Sequence, residues 1–339
     1  MQDIPKIVLE AYDLGPIDRV TKVSDGLIHQ TYKVESMAGD FILQRLHPLL
    51  GTSEIGQDFF AVTTHLNNEG FPAPEAVLGM GGEVLVNDGE YNWRMQTYID
   101  GRTYSKLDNP YVAKEAGAIY GRLHKSLASM DYEFQSELKL HETEKIFAEF
   151  QEVIGNWGGD IGLKESVRDE VDFILEHLPK QFLPSGLPQR VIHGDPKISN
   201  ILFKGGEAVG VIDLDTCNNH TVLVDVGDAF RSWCGRDEDD SQNAFNLELF
   251  EAGWLGYIGT AGDFLTDEER SLVPRAISCI TLELAARFLK DVFDDSYFGW
   301  DAERYASRRE HNLARVRGQI ALYKDLQDKL GDVNRIVQR

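Results

Sequence analysis

Short alternating runs of apolar and polar residues fill the first hundred positions, and helical spacing takes over beyond them. Residues 17–23, 30–35 and 40–45 read as strands separated by Gly or Asp turns. Residues 52–68 switch to helical spacing, with Ile55, Phe59, Val62 and Leu66 on one face and Gly70 just past the end. Further strands are predicted at 76–78, 83–86 and 91–99, punctuated by Pro72, Pro74, Gly79, Gly81 and Gly82. Asp108-Asn109-Pro110 is a helix-start signal, after which Val112, Ala116, Ile119, Leu123 and Leu127 recur at helical intervals. More helices are predicted over 142–157, 164–178, 244–259, 266–293 and 310–330, and Thr266 with Glu269 suits a capping box. One compact β-like stretch, 191–214, lies among them. The pattern predicts an α+β chain in two lobes, a β-rich N-terminal lobe (residues 1–99) and a mainly helical C-terminal lobe (residues 100–339). The connection near 98–101 lacks Gly/Ser linker composition and reads as a hinge.

Composition narrows the partners. The 339 residues are 42% hydrophobic and 27% charged, an ordinary globular balance. Lys and Arg total 34 against 56 Asp and Glu, a net charge of −22, which repels phosphate backbones and anionic lipid heads. Nucleic acid and membrane partners are therefore not expected, and no apolar run approaches the roughly 18 residues of a membrane span. The first residues lack a basic start followed by an apolar stretch, and Cys217, Cys234 and Cys279 are odd in number and far apart. A disulfide framework or zinc site is not expected, and a cytoplasmic location is. The acidic run 237–240 reads as a solvated turn or helix start.

The chemistry concentrates in Val191-Ile192-His193-Gly194-Asp195-Pro196-Lys197-Ile198-Ser199-Asn200-Ile201-Leu202-Phe203, followed by Val211-Ile212-Asp213-Leu214-Asp215. Phosphoryl transfer needs a carboxylate to orient the attacking hydroxyl, oxygen ligands for Mg²⁺, and positive charge on the γ-phosphate of ATP. A loop carrying Asp195 and Asn200 can aim one at the hydroxyl and the other at the metal. A hairpin turning at Gly205-Gly206 would return Asp213 as a second ligand. Lys197 stands between them as a point charge for the phosphate. His193 and Asp225 are expected to hold the loop, and Asp228 to serve as a structural cap.

These motifs resemble the catalytic loop and metal-binding Asp of the aminoglycoside phosphotransferase and choline kinase superfamily. Ser24-Asp25-Gly26-Leu27-Ile28-His29-Gln30-Thr31-Tyr32, Phe41-Ile42-Leu43-Gln44-Arg45-Leu46, Asp225-Val226-Gly227-Asp228-Ala229-Phe230-Arg231, Arg287-Phe288-Leu289 and His311-Asn312-Leu313-Ala314-Arg315 are similar to N-acetylhexosamine 1-kinases. The resemblance implies the protein-kinase-like two-lobed fold, with Asp195 as catalytic base, also gripping the reacting hydroxyl, and Asn200 and Asp213 holding Mg²⁺. Asp215 would assist the metal or the loop, and Arg287 and Tyr297 would lie on the sugar. It also implies that Ser24 and Gly26 cover the ATP phosphates and that the backbone of Gln96 and Tyr98 binds adenine. The lysine of the third strand is absent. Gln44 and Arg45 stand there, and alternation lets one of them point into the cleft. Glu54 and Asp58 are expected to be plain helix-face charges.

Two departures concern the acceptor. The sugar kinases carry His-Asn-Asp where this chain has His193-Gly194-Asp195, and the stretch 299–309 is longer than their loop. The expected activity is ATP- and Mg²⁺-dependent phosphorylation of a small-molecule hydroxyl, first the anomeric hydroxyl of an N-acetylhexosamine. Choline, aminoglycoside, homoserine or methylthioribose are the alternative acceptors, and an inactive kinase-shaped binding protein is the competing class. A monomer or homodimer is expected.

Overall fold

The computed structural model describes residues 4–23 and 29–339, so Ser24 and Gly26 lie outside the described residues. A short helix, α1 (Lys6–Glu10), precedes three antiparallel strands, β1 (Ile17–Val23), β2 (Gln30–Ser36) and β3 (Gly39–Arg45). Helix α2 (Ser53–Asn68) starts where the Thr52 hydroxyl accepts the N–H of Ile55. Then come β4 (Ala76–Val77), β5 (Val86–Asn87) and β6 (Asn92–Thr97). The sheet runs β1-β2-β3-β6-β4, with β5 also pairing β6. Alternation gives it two unlike faces. Tyr32, Val34, Leu43, Trp93 and Met95 pack with Val8, Tyr12 and Leu14 in one core. Gln44, Arg94 and Gln96 point the other way, toward the C-terminal lobe.

Beyond residues 98–101 the chain is mainly helical. Helix α3 (Pro110–Leu127) begins at an Asn109 cap. It is followed by α4 (Thr143–Asn156), α5 (Ile161–Ser166) and α6 (Arg168–His177). Strand β7 (Arg190–Ile192) leads to the hairpin of β8 (Ile201–Lys204) and β9 (Glu207–Val211), and β10 (Asn218–His220) pairs back onto β7. The rest is α7 (Leu223–Cys234), α8 (Leu247–Ala261), α9 (Asp267–Asp294), α10 (Arg308–Asp328) and α11 (Leu330–Val337). Thr266 and Glu269 form the capping box of α9.

The predicted helix over 164–178 is in fact two, interrupted at Val167, whose φ of −116° and ψ of 12° leave the helical region. Helix α7 has no counterpart in the sequence reading: Asp225, Asp228 and Arg231 recur at helical spacing, but they are buried with the apolar residues instead of facing water. Helices α3 and α8 pack through glycines. A Cβ at Gly117 would come within 1.9 Å of the Gly253 carbonyl, and one at Gly256 within 2.0 Å of the Lys114 carbonyl.

The last strand of the sheet, β6, ends at Thr97, and packing continues across into the helical part of the chain. Phe59, Val62, Leu66 and Phe71 share the core of the larger lobe with α3, α7 and α8. Arg102 and Phe203 exchange backbone hydrogen bonds at 2.9 and 2.8 Å, which fastens the connection to β8. The three cysteines are buried and unpaired. No helix among the described residues is long and apolar enough to cross a membrane.

Candidate active site

The loop between β7 and β8 is held from beneath by one buried carboxylate. Asp225, in the first turn of α7, accepts the N–H groups of His193 at 2.7 Å and Gly194 at 2.8 Å. Its Oδ2 lies 3.0 Å from His124 Nε2, and His124 Nδ1 lies 2.8 Å from the Tyr257 hydroxyl. Burial works to raise the Asp225 pKa, but His124 and the loop N–H groups outweigh it and hold the carboxyl below its ordinary range. His193 Nδ1 accepts the N–H of Asp195 at 3.2 Å, which leaves Nε2 to donate to the Ile212 carbonyl at 3.0 Å. His193 and Asp225 thus occupy the positions of loop holders. Gly194 has a φ of +84°, and a Cβ there would meet the Thr216 carbonyl oxygen at 2.3 Å. The asparagine of the sugar kinases has no room at this backbone position.

That scaffold presents Asp195 beside Lys197, whose Nζ is 2.9 Å from Oδ1. Burial lowers the pKa of the Lys197 ammonium, but Asp195, with Asp228 and Glu238 further away, more than offsets this and leaves it raised. Asn200 Nδ2 donates to the Asp195 carbonyl at 2.9 Å, which leaves the amide oxygen as its free acceptor. Gly205 and Gly206 take φ values of +63° and +95°, as a tight hairpin requires. The hairpin brings Ile212 N–H to 2.9 Å from the Asn200 carbonyl, and Asp213 follows directly.

Asp213 is left-handed, with φ 64° and ψ 53°, an uncommon state for a residue other than glycine. Burial first, then Asp215 and Asp195, push its carboxyl above the usual range. The Asp195 and Asp213 carboxylates repel one another, which a cation would relieve, and the free amide oxygen of Asn200 with Asp213 gives the hard oxygen donors that suit Mg²⁺.

Asp215 is more deeply engaged than the sequence suggested. Arg94 grips both of its oxygens, and His29 Nε2 is 3.2 Å from Oδ2. Burial raises the Asp215 pKa, yet Arg94 and His29 hold it well below the carboxylate range. Ligand atoms of His29, Asp213 and Asp215 lie within 4.8 Å of one another.

Two nucleotide-side expectations need correction. Gln44 and not Arg45 faces the cleft, because Gln44 Oε1 accepts from Arg94 at 2.8 Å while Arg45 lies over the Tyr91 ring, 4.4 Å from its centroid, on the opposite face of the sheet. Gln96 is paired with both Ile42 and Ala76, which commits its backbone to the sheet, whereas Tyr98, just past the last strand, gives its N–H to the Asp40 carbonyl at 3.1 Å and leaves its own carbonyl without a backbone partner among the described residues. The N–H groups of Ile99 and Asp100, just beyond, have no backbone partner among the described residues. On α2, Glu54 lies in the exposed first turn. Asp58 is not a face charge, since it accepts from the Tyr132 hydroxyl and from the N–H groups of Gln135 and Ser136.

On the acceptor side, Arg287 lies over the Phe298 ring, 5.7 Å from its centroid, and has no ion pair among the described residues. Tyr297 stands edge-on to Phe298 and is 64% exposed. Arg287 faces His141, which binds Glu283 at 2.7 Å and stands 4.0 Å from Asp228. Asp228 pairs with Arg231 at 2.8 Å. The acidic run is not fully solvated, because Asp239 meets Arg304 at 3.0 Å, the Tyr305 hydroxyl at 2.7 Å and His311 at 3.3 Å. This clasp ties the long stretch 299–309 to the acidic run.

Sequence reasoning missed Arg94, His29 and His141. Arg94 left one signal, a charge amid the apolar strand Trp93-Arg94-Met95, where burial demands a partner.

The family profile described as "Phosphotransferase enzyme family" matches residues 19–257, most of the chain. The protein belongs to that family, the aminoglycoside phosphotransferase group. It is accordingly a small-molecule kinase. Homoserine kinase of Zymomonas mobilis is 26% identical over 263 residues, covering 76% of this chain and 77% of that one. Homoserine kinase of Rhodopseudomonas palustris is 25% identical over 247 residues, covering 70% and 69%. Among solved structures, an aminoglycoside phosphotransferase from Alicyclobacillus acidocaldarius superposes with a TM-score of 0.68 at 16% identity, covering 99% of this chain and 96% of that one. A microcompartment-associated aminopropanol kinase gives 0.67 at 15% identity, covering 96% and 97%. An amicoumacin kinase in complex with AMP-PNP, Ca²⁺ and Ami gives 0.63 at 18% identity, covering 95% and 91%. These likenesses confirm the α+β, protein-kinase-like two-lobed fold.

Proposed function

We propose that the protein uses ATP and Mg²⁺ to phosphorylate the hydroxyl of a small amino-acid alcohol of the homoserine type. The observation that carries the chemistry is the meeting of Asp195, Lys197, Asn200 and Asp213 at one mouth. Asp195 orients the acceptor hydroxyl and takes its proton as the oxygen bonds to the γ-phosphorus and ADP leaves. Lys197 turns from Asp195 toward the transferring phosphoryl group. The Asn200 amide oxygen and the Asp213 carboxylate hold the metal, which neutralises phosphate charge. The backbone at 99–100 takes the adenine edge.

The acceptor rests on Arg287. It is a cation without an ion pair among the described residues, in a chain of net charge −22, and it suits an acceptor carboxylate. The names of the sequence relatives agree with such an acceptor, whereas the N-acetylhexosamine reading finds no counterpart among them. That sugar reading keeps one supporting observation, the exposed ring of Tyr297 beside Arg287, on which an apolar sugar face would stack.

The deciding experiment is ADP release from MgATP with homoserine, 1-amino-2-propanol, choline, an aminoglycoside and N-acetylhexosamines. Homoserine is expected to give the highest kcat/KM, and Arg287→Met is expected to raise its KM by about tenfold, with a smaller effect on the amino alcohols that lack a carboxylate. Turnover of an N-acetylhexosamine but not of homoserine would restore the sugar reading. No release with any acceptor would favour the binding-protein class.

A further inference from the structure

Two side chains of the sheet lobe, Arg94 and His29, converge on one carboxylate of the helical lobe, and a third, Gln44, braces the arginine. Arg94 of β6 donates to both oxygens of Asp215, one of them at 3.0 Å, and each of the two side chains is 1% exposed. His29, just before β2, uses Nδ1 to accept the N–H of His47 at 3.1 Å, which leaves Nε2 to donate to Asp215 at 3.2 Å. Gln44 of β3 fixes the other edge of the guanidinium at 2.8 Å. The Phe59 ring of α2 covers its flat side, 3.6 Å from the guanidinium carbon.

Asp215 lies two residues beyond Asp213, on the turn that carries the proposed metal ligand. His29 lies at the end of the segment expected to cover the phosphates. Protein kinases organise this region with a lysine from the third strand and a carboxylate from the following helix. Here the third strand supplies Gln44, and the buried acid of α2, Asp58, is spent on the loop at 132–136. The cation has moved to β6 and its acid to the metal turn.

We infer that Arg94, assisted by His29, is a positioning residue that latches the Asp213 turn to the underside of the sheet and so sets the metal-binding carboxylate against the nucleotide phosphates. Asp215 serves as the anchor of this latch, because a metal ion bound to it would have to displace a bidentate arginine. The inference rests on the kinase reading above and deepens it.

The test compares wild type with Arg94→Met, Arg94→Lys and His29→Gln. It uses calorimetric binding of ADP with Mg²⁺ and steady-state kinetics in ATP, Mg²⁺ and acceptor. Removing an outer partner of a metal site costs about 10–100-fold in metal affinity. Arg94→Met is expected to raise the Mg²⁺ requirement and the KM for ATP by about tenfold or more and to lower kcat, with the acceptor KM within about twofold. Arg94→Lys is expected to recover thermal stability more than metal dependence, since one ammonium cannot grip both oxygens. His29→Gln, the milder change, is expected to shift metal dependence in the same direction, and it keeps the test decisive if Arg94→Met does not fold.

Unchanged Mg²⁺ and ATP dependence in the folded Arg94 variants, with only stability lost, would overturn the latch. So would a nucleotide-bound structure with the metal on Asp215. Wild-type protein that binds no Mg²⁺·ADP would instead overturn the kinase reading beneath it.

Discussion

Asp195→Asn is expected to lower kcat by about 10²–10⁴-fold while leaving the affinity for Mg²⁺·ATP within a few-fold of wild type. The asparagine preserves the shape and the hydrogen bond from the loop but removes the proton acceptor, and it also removes the anion that pairs with Lys197 at 2.9 Å. Because Lys197 is then free to stay on the phosphate, nucleotide binding is not expected to weaken. The measurement is single-turnover phosphoryl transfer together with calorimetric nucleotide binding. Retained turnover would remove Asp195 from the role of base, and lost nucleotide binding would place it among the metal ligands.

Gly194→Ala is expected to cost about 3 kcal/mol of stability and to depress turnover as well, from strain and overpacking together. The backbone at φ +84° disfavours any Cβ, and that Cβ would lie 2.3 Å from the Thr216 carbonyl, a backbone atom that cannot swing aside. Gly194 also gives its N–H to Asp225, so relief of the clash pulls the loop away from its anchor. Gly194→Asn tests the departure from the sugar kinases directly. Asparagine tolerates positive φ better than alanine but meets the same oxygen, and it is expected to be destabilising too. Denaturant unfolding and kcat on the same samples read both effects. A variant within about 0.5 kcal/mol of wild type would mean that the loop and the turn at Thr216 stand further apart than 2.3 Å from such a Cβ allows.

The parts of the site that were legible in the sequence are those built from local geometry. The spacing of Asp195, Asn200 and Asp213 around a Gly205-Gly206 turn encodes a hairpin, and a hairpin brings its two ends together whatever surrounds it. Strand β2 and helix α2 were legible because buried positions recur along each with its own period, and β1 and β3 because Gly or Asp turns set them off. Helix α7 was not read, although Asp225, Asp228 and Arg231 recur at helical spacing, because that polar stripe is buried in hydrogen bonds and an ion pair instead of facing water. The long-range pairings were the least legible. Arg94 and Asp215 are 121 residues apart, and nothing local to either names the other. The backbone assignment at Gln96 failed for a related reason, since which backbone groups remain free depends on sheet register, and register pairs Gln96 with Ile42 and Ala76. The acceptor was legible only by resemblance. Arg287 and Tyr297 do flank one ring, but the same pair serves a carboxylate or a sugar face equally well, and the identity of the acceptor turns on charges set by tertiary packing.

The most direct test of the account is a structure of the protein with Mg²⁺ and a non-hydrolysable ATP analogue. The account predicts a metal ion at about 2.0–2.1 Å from the Asn200 amide oxygen and an Asp213 carboxylate oxygen, the γ-phosphate facing Asp195, and Arg94 still on Asp215. A metal held by His29 and Asp215 with Arg94 displaced, or a nucleotide bound away from the mouth between the lobes, would contradict it.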